Sequence, residues 1–373
     1  MNKITAQRRS FVVGTAATLA LPSLTFSQTS SLRIGQSAPL SGVNSGFGKD
    51  TRDGALAAFK RVNDRGGMAG AAFELETLDD ANKAERSEAN AVQLEKNGSL
   101  ALFGFASATL ALPALKVINA ARMTLWSPFS GADMVRKSGK YLIGTRASYE
   151  EEIQKLITMW AGSGFKRFGV MFYDDPVGLQ NYQSVARALG SAKFQIGEVR
   201  IKRNEAVGVD AFNTLLKDPP DVLIMTTQAN AGVQMVKGLI ARGKNRLMQI
   251  SSTSFAGNSQ LAAALGFDGE GISMTTVVPH YERRSLGIVN EYLTDLVKLQ
   301  PDLRPSYVSF ESYIAARALT EVIRAAGGRP VRDDIADLAA KLRQVSVGGY
   351  PVKTDNTQSY VDTVIIANGK IRA

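Results

Sequence analysis

The sequence predicts an α/β protein built on parallel sheets, and three observations carry that prediction. Short apolar runs of strand length alternate with longer segments of helical spacing along most of the chain. The strand runs are near-continuous in their apolar character, as strands buried on both faces require. Glycine pairs and Asn-Gly steps stop the helical segments, at Gly66-Gly67, Asn97-Gly98 and Gly327-Gly328.

Taken in order, residues 31–40 read as the first strand, followed by a Gly/Ser-rich loop over 41–48. A helix over 50–63 follows from the spacing of Ala55, Leu56, Ala58, Phe59 and Val62. A strand over 73–78 and a helix over 80–96 come next, then strand 100–105, helix 110–121 and strand 123–127. The alternation continues with helix 150–161, strand 167–173, helix 179–189, strand 222–226, helix 232–241 and strand 246–250. A long helix over 306–326 places Tyr313, Ala316, Leu319, Val322 and Ile323 at helical spacing. A helix over 333–342 and two short strands, 350–353 and 360–367, complete the chain, and this strand-rich tail implies a late crossing between lobes.

The first 27 residues read differently. Lys3 and the paired Arg8 and Arg9 precede an apolar run ending near Leu24, and Thr25-Phe26-Ser27 forms a small-x-small site. That is the layout of a secretory signal peptide of the twin-arginine type, with Gln28 as the expected mature N-terminus. Its apolar stretch is about two-thirds of the ~20 residues a membrane span needs. The expected location is therefore the periplasm, with the remaining chain of about 345 residues divided into two lobes.

Composition excludes several kinds of chemistry. The chain has no cysteine, which removes disulfides, thiolate–metal sites and thiol catalysis together. Its single histidine, His280, argues against a histidine-built metal site, and no cofactor is expected. Loss of the leader takes Lys3, Arg8 and Arg9 and no acid, lowering the formal charge from +10 to +7. The remaining cations are scattered, with no basic tract interleaved with aromatics, so no nucleic-acid partner is expected.

Enzyme signatures are absent. The glycine spacing over 42–50 does not fit a phosphate loop, and Asp50 follows Lys49 where a magnesium-binding hydroxyl belongs. There is no dinucleotide fingerprint after the first strand and no Gly-x-Ser-x-Gly elbow. The acidic pairs Asp79-Asp80 and Asp174-Asp175 stand at strand ends, where capping of the next helix is the simpler role. His280, beyond Val277-Val278-Pro279, suits an ordinary surface position or a cleft rim.

Binding has firmer support. In parallel sheets, ligands sit beyond the carboxyl ends of strands, where loops feed helix N-termini. Two such loops carry small hydroxyl residues: Ser107, Ala108 and Thr109 in one, Phe129, Ser130 and Gly131 in the other. Each alone reads equally as a helix cap. Together they suit a carboxylate, because exposed N–H groups and the helix dipole both favour an anion.

A collinear series of segments resembles the leucine/isoleucine/valine-binding type of periplasmic substrate-binding protein, which serves ATP-driven (ABC) importers. The series comprises 34–42, 47–48, 53–55, 62–70, 79–80, 126–132 (Trp126 to Ala132), 146–150 and 310–317, and spans essentially the whole mature chain. The resemblance implies two Rossmann-like lobes with parallel sheets, joined by three hinge crossovers. On this reading lobe I comprises 28–147 plus 279–358 and lobe II comprises 148–278 plus 359–373. It also implies a monomer that closes over a small-molecule ligand and delivers it to a membrane permease.

Carried onto these residues, the resemblance assigns the carboxylate to the loops 107–109 and 129–131, places Tyr149 near the first crossing, and makes Gln228 and Asn230 second-lobe contacts. Amino-acid binders of the family place an acidic residue after a later strand to meet the ammonium. Here that stretch reads Ser251, Ser252, Thr253, Ser254, Phe255, with no carboxylate, and Val177 stands where the family has tyrosine. A buried ammonium without a partner is costly. The expected ligand is therefore a carboxylate with an apolar or aromatic body, with Phe129, Tyr149 and Phe255 as walls and Ser254 beside them. A branched-chain or other amino acid, or a sensing role in place of transport, are the alternatives.

Overall fold

The computed structural model describes residues 31–42, 44–190, 194–244 and 247–373; the expected leader over 1–27 lies outside them. Two separate parallel-stranded sheets organise the chain. The first contains β1 (Ser31–Ala38), β2 (Ala72–Asp79), β3 (Ala101–Phe103), β4 (Leu125–Trp126) and β5 (Leu142–Ile143), in the order β2-β1-β3-β4-β5 and parallel throughout.

The second sheet begins with β6 (Arg167–Tyr173), β7 (Gln195–Ile201), β8 (Val222–Met225), β9 (Gln249–Ser252) and β10 (Ser273–Thr276), again mutually parallel. The chain then returns to the first lobe, forming helices Gly287–Leu299, Tyr307–Ala325 and Arg332–Leu342 and the hairpin of β11 (Gln344–Val347) and β12 (Tyr350–Lys353). It crosses back for β13 (Asp362–Ala367) and β14 (Lys370–Arg372), which extend the second sheet antiparallel in the order β14-β13-β10-β9-β8-β6-β7. The passages 144–148, 277–286 and 354–361 are the three crossings, so the predicted two-lobed α/β architecture is the observed one.

Why these residues pack this way is clearest around helix Ser45–Asn63. Its buried stripe, Ala55, Ala58, Phe59 and Val62, lies over β1–β3, with Phe59 stacked on Phe73 at 5.0 Å. Each fully buried phenylalanine contributes roughly 1.5–3 kcal/mol. Gly54 lets this helix touch helix Tyr307–Ala325: a Cβ there would lie 2.0 Å from the Ser309 carbonyl oxygen. Arg61 of the same helix ties it to a third one, Gly287–Leu299, bridging Glu291 at 3.1 Å and Asp295 at 3.0 Å.

Several elements depart from expectation for physical reasons. The helix expected over 110–121 is broken into Ala108–Ala111, a 3₁₀ turn at Leu112–Ala114 and Leu115–Ala121, because Pro113 cannot donate to the ladder. β5 is two residues long and escapes any periodicity. β7 carries alternating polar residues because it is an edge strand. The expected strand 246–250 shifts to β9 at Gln249–Ser252, and Arg246 lies outside the described residues. Among the described residues, no helix is long and apolar enough to cross a membrane.

Candidate functional site

Parallel strands deliver every carboxyl-terminal loop of a sheet to one edge. In the first lobe these loops start at Pro39, Asp80, Gly104 and Ser127; in the second at Asp174, Lys202, Thr226 and Thr253. The two edges face each other. Asn44 Nδ2 donates to Gln228 Oε1 at 2.9 Å, and the Tyr307 N–H donates to Ser259 Oγ at 3.2 Å, so the lobes are in contact across the cleft.

Between them lies a cavity of about 250 Å³. Its first-lobe wall is Asn44, Ser45, Gly46 and Phe47; its second-lobe wall includes Gln228, Asn230, Val233, Phe255 and Gln260. Among the described residues, no ionisable side chain lines it. A hollow of about 440 Å³ beside Val236, Met248 and Phe267 belongs to the second lobe alone and is remote from these loops.

Of the residues expected to bind ligand, Gln228, Asn230 and Phe255 line this cavity directly. Tyr149 stands behind Phe255, its ring 5.7 Å away, and Phe129 stands behind Phe47 in an edge-to-face contact at 6.0 Å. Phe47 is therefore the lining aromatic of the first lobe, and Phe129 supports it. The Tyr149 hydroxyl is buried without a hydrogen-bond partner, close to Ser130, and burial pushes its pKa up to about 12.

The two hydroxyl loops are joined by the Phe129 N–H, which donates to the Phe105 carbonyl at 2.8 Å. Ser107 occupies the N-cap position of Ala108–Ala111 but makes no capping bond; its Oγ sits 2.9 Å from Thr109 Oγ1. Ser130 Oγ accepts from the Ala132 N–H at 3.2 Å. Gly131 allows the loop to touch the first crossing, since a Cβ there would lie 2.6 Å from the Tyr149 nitrogen. Tyr149 opens helix Tyr149–Gly162, fixed by a capping box between Ser148 and Glu151.

Ser254 is held by Glu152. Its N–H donates to Glu152 Oε2 at 2.7 Å and its Oγ to Glu152 Oε1 at 2.9 Å. Thr275 Oγ1 also donates to Glu152. Arg146 lies 3.2 Å from Glu152 and 3.5 Å from Glu311, and its guanidinium covers the Tyr149 ring at 5.6 Å. Arg146, Glu152 and Glu311 are all buried. Burial pushes the Glu311 carboxyl up to about 7, with Arg146 opposing the shift and Glu152 adding to it. Burial also opposes the charge on Arg146, and the adjoining carboxyls of Glu311 and Glu152 outweigh it.

The acidic pairs organise loops. Asp79 accepts from the N–H groups of Leu40, Ser41 and Ala81 and from Ser41 Oγ; burial resists its charge, but these donors hold it down at about 2. Neither Asp79 nor Asp80 caps the following helix, whose N-cap is Lys83. Asp175 does cap helix Pro176–Leu189, accepting from the Gly178 N–H at 2.9 Å. His280 packs half-buried against Tyr281 and Tyr307 at the second crossing, and its Nδ1 accepts from the Glu282 N–H. Among the described residues, no cluster of His, Cys, Asp and Glu could hold a metal ion.

A family model described as periplasmic binding protein matches residues 31–363. The chain belongs to that family. As a periplasmic binding protein it has the fold of a solute-binding receptor, and its family works with ABC-transporter permeases. Comparison with curated proteins returns no match. Among solved structures, it is similar to a possible leucine/isoleucine/valine-binding protein from Rhodopirellula baltica SH 1, at 26% identity and TM-score 0.85, covering 92% of this chain and 96% of that one. A substrate-binding periplasmic protein from Ralstonia solanacearum is 25% identical, with TM-score 0.85 and coverage of 91% and 98%. A solute-binding protein of an ABC transporter from R. palustris, in complex with benzoate, shares the fold at 15% identity, with TM-score 0.79 and coverage of 92% and 95%.

Phe47, Asn44 and the Arg146–Glu152–Glu311 cluster of this periplasmic binding protein are not among the site residues expected from the sequence, although Phe47, Arg146 and Glu311 fall in the segments that carry the resemblance. A signal for Glu152 was present: Tyr149, Glu152, Ile153 and Leu156 fall on one helical stripe, which places a carboxylate on an apolar face.

Proposed function

We propose that this protein is an extracytoplasmic receptor of an ABC importer that captures a small carboxylate with an apolar or aromatic body between its lobes. The observation that carries the reading is the occupancy of Glu152. This buried carboxylate already accepts from Arg146, Ser254 and Thr275, which leaves it no lone pair directed to a ligand ammonium. The cavity itself offers two phenylalanines and neutral amides, surroundings that favour an uncharged ligand body.

The carboxylate is assigned to the Ser107–Thr109 and Ser130–Gly131 loops, which stand outside the cavity lining and would have to be reached past Phe47; Ser107 makes no capping bond to its own helix, and its hydroxyl sits 2.9 Å from that of Thr109. Closure of the lobes would then bury the ligand and present one face of both lobes to the permease. The leader over 1–27 supports export to the periplasm.

An amino-acid ligand is the second reading. It is favoured by the Rhodopirellula baltica protein, which is named a possible leucine/isoleucine/valine-binding protein, and by Glu311 Oε1, which is buried without a hydrogen-bond partner. A thermal-shift screen over amino acids, aliphatic acids and aromatic acids separates the two, because a tight ligand raises the melting temperature by mass action. Stabilisation by ammonium-free acids supports the first reading; stabilisation by leucine and by no such acid refutes it.

A further inference from the structure

Two loop tips meet across the cleft rim away from the cavity. Asn82 Nδ2 donates to Asn204 Oδ1 at 2.7 Å, and Asn204 Nδ2 reaches the Asn82 carbonyl oxygen at 3.4 Å. The two side chains belong to different lobes, Asn82 following β2 and Asn204 following β7. Both residues hold left-handed backbone, with φ of 61° and 62°. That region is open mainly to glycine and, at some cost, to asparagine. Neither residue lines the cavity.

Each tip is anchored by an acidic group standing at a strand end. Asp80, buried, accepts from the Asn82 N–H at 2.8 Å and from Ser37 Oγ at 2.9 Å, and Asn90 holds Ser37 in turn. In the opposite lobe Asp175 takes Arg203 at 2.7 Å, and the Arg203 guanidinium lies 3.9 Å from the centre of the Tyr173 ring. Asn204 is the next residue. Both amides are thus presented by anchored backbone, so little backbone freedom remains to be lost when they meet.

We propose that Asn82 and Asn204 form a ligand-independent clasp, positioning residues that give the empty receptor a standing closed population. The contact runs from protein to protein and needs no ligand to bridge it. Its bonds are between neutral amides, so its strength is independent of ionic strength. A net contribution typical of such bonds alters the closed-to-open ratio by about two- to tenfold. The inference uses the two-lobed fold and is independent of which ligand the cleft takes.

The test is single-molecule FRET on the full receptor, stripped of bound small molecules by guanidinium and dialysis. The chain has no cysteine of its own, so dyes go to Lys116→Cys in the first lobe and Lys237→Cys in the second, both exposed. Asn204→Gly and Asn82→Gly remove the amide while keeping the left-handed backbone. Each is expected to lower the closed-to-open ratio about two- to tenfold, with the melting temperature unchanged. Asn204→Asp keeps the acceptor of the shorter bond but loses the donor of the longer one, and is expected to give a ratio above that of Asn204→Gly. An unaltered distribution in both glycine variants, or the absence of any closed population in the unsubstituted receptor, overturns the proposal.

Discussion

Arg146 and Glu152 meet at 3.2 Å with both side chains sealed from solvent, at the point where the chain first passes between lobes. Glu311 from the first lobe completes the group at 3.5 Å. One cation therefore ties a carboxylate of each lobe to the crossing itself. Breaking such a pair from one side leaves a charge buried and uncompensated. Arg146→Met is expected to cost about 3–5 kcal/mol of stability, read as a fall in the urea midpoint at unchanged slope. Glu152→Gln, which keeps an acceptor for Ser254 and Thr275, is expected to cost less.

Stability should fall as pH rises through the weakly acidic range. Burial raises Glu311 to about 7 and Asp50 and Asp80 to about 6, above the ordinary carboxylate values near 4. Between those values the folded state binds more protons than the unfolded chain, so unfolding becomes easier with each step upward in pH. The advantage of the protonated forms is complete below about pH 4 and gone above about pH 7. Melting temperatures measured from pH 5 to pH 8 should decline, and Glu311→Gln should flatten the decline. A curve that rises across this interval contradicts the assignment.

Close backbone approach makes two glycines intolerant of a methyl group. Gly54→Ala would place Cβ 2.0 Å from the Ser309 carbonyl oxygen, and Gly131→Ala would place it 2.6 Å from the Tyr149 nitrogen. Each is expected to lose about 1–3 kcal/mol in chemical denaturation. Gly131→Ala should also weaken ligand binding, because it separates the second hydroxyl loop from the first crossing.

Removal of the paired hydroxyls Ser107 and Thr109 tests the carboxylate loops. The double substitution to alanine takes away two donors, Ser107 buried and Thr109 half-buried, each with a net effect of about 0.5–1.5 kcal/mol. Calorimetry with an ammonium-free acid should show binding weakened about tenfold or more. Unchanged affinity removes the loops from the site.

How much of this was legible in the chain depends on the length of the signal. β6 at Arg167–Tyr173 and the long helix Tyr307–Ala325 carry long apolar patterns and stand where the periodicity puts them. Two-residue strands such as β4 and β5 form because neighbours supply the ladder, and nothing local specifies them. At the candidate site, Gln228 and Phe255 were reachable from strand-end position and family resemblance. Phe47 was not, because it reads as part of a Gly/Ser-rich loop over 41–48, whereas it stands in the first turn of helix Ser45–Asn63, and only the approach of the second lobe gives it a cavity to line. The same holds for Asn82 and Asn204, separated by 122 positions and joined only by closure.

The central claim is that the cleft takes a carboxylate lacking an ammonium, and isothermal titration with a matched pair tests it most directly. 3-Phenylpropionate and L-phenylalanine share a carbon skeleton and differ by the α-ammonium alone. With Glu152 already occupied by Arg146, Ser254 and Thr275, burying that ammonium without a partner is unfavourable. The ammonium-free acid should bind at least tenfold more tightly. Tighter binding of the amino acid would contradict the account.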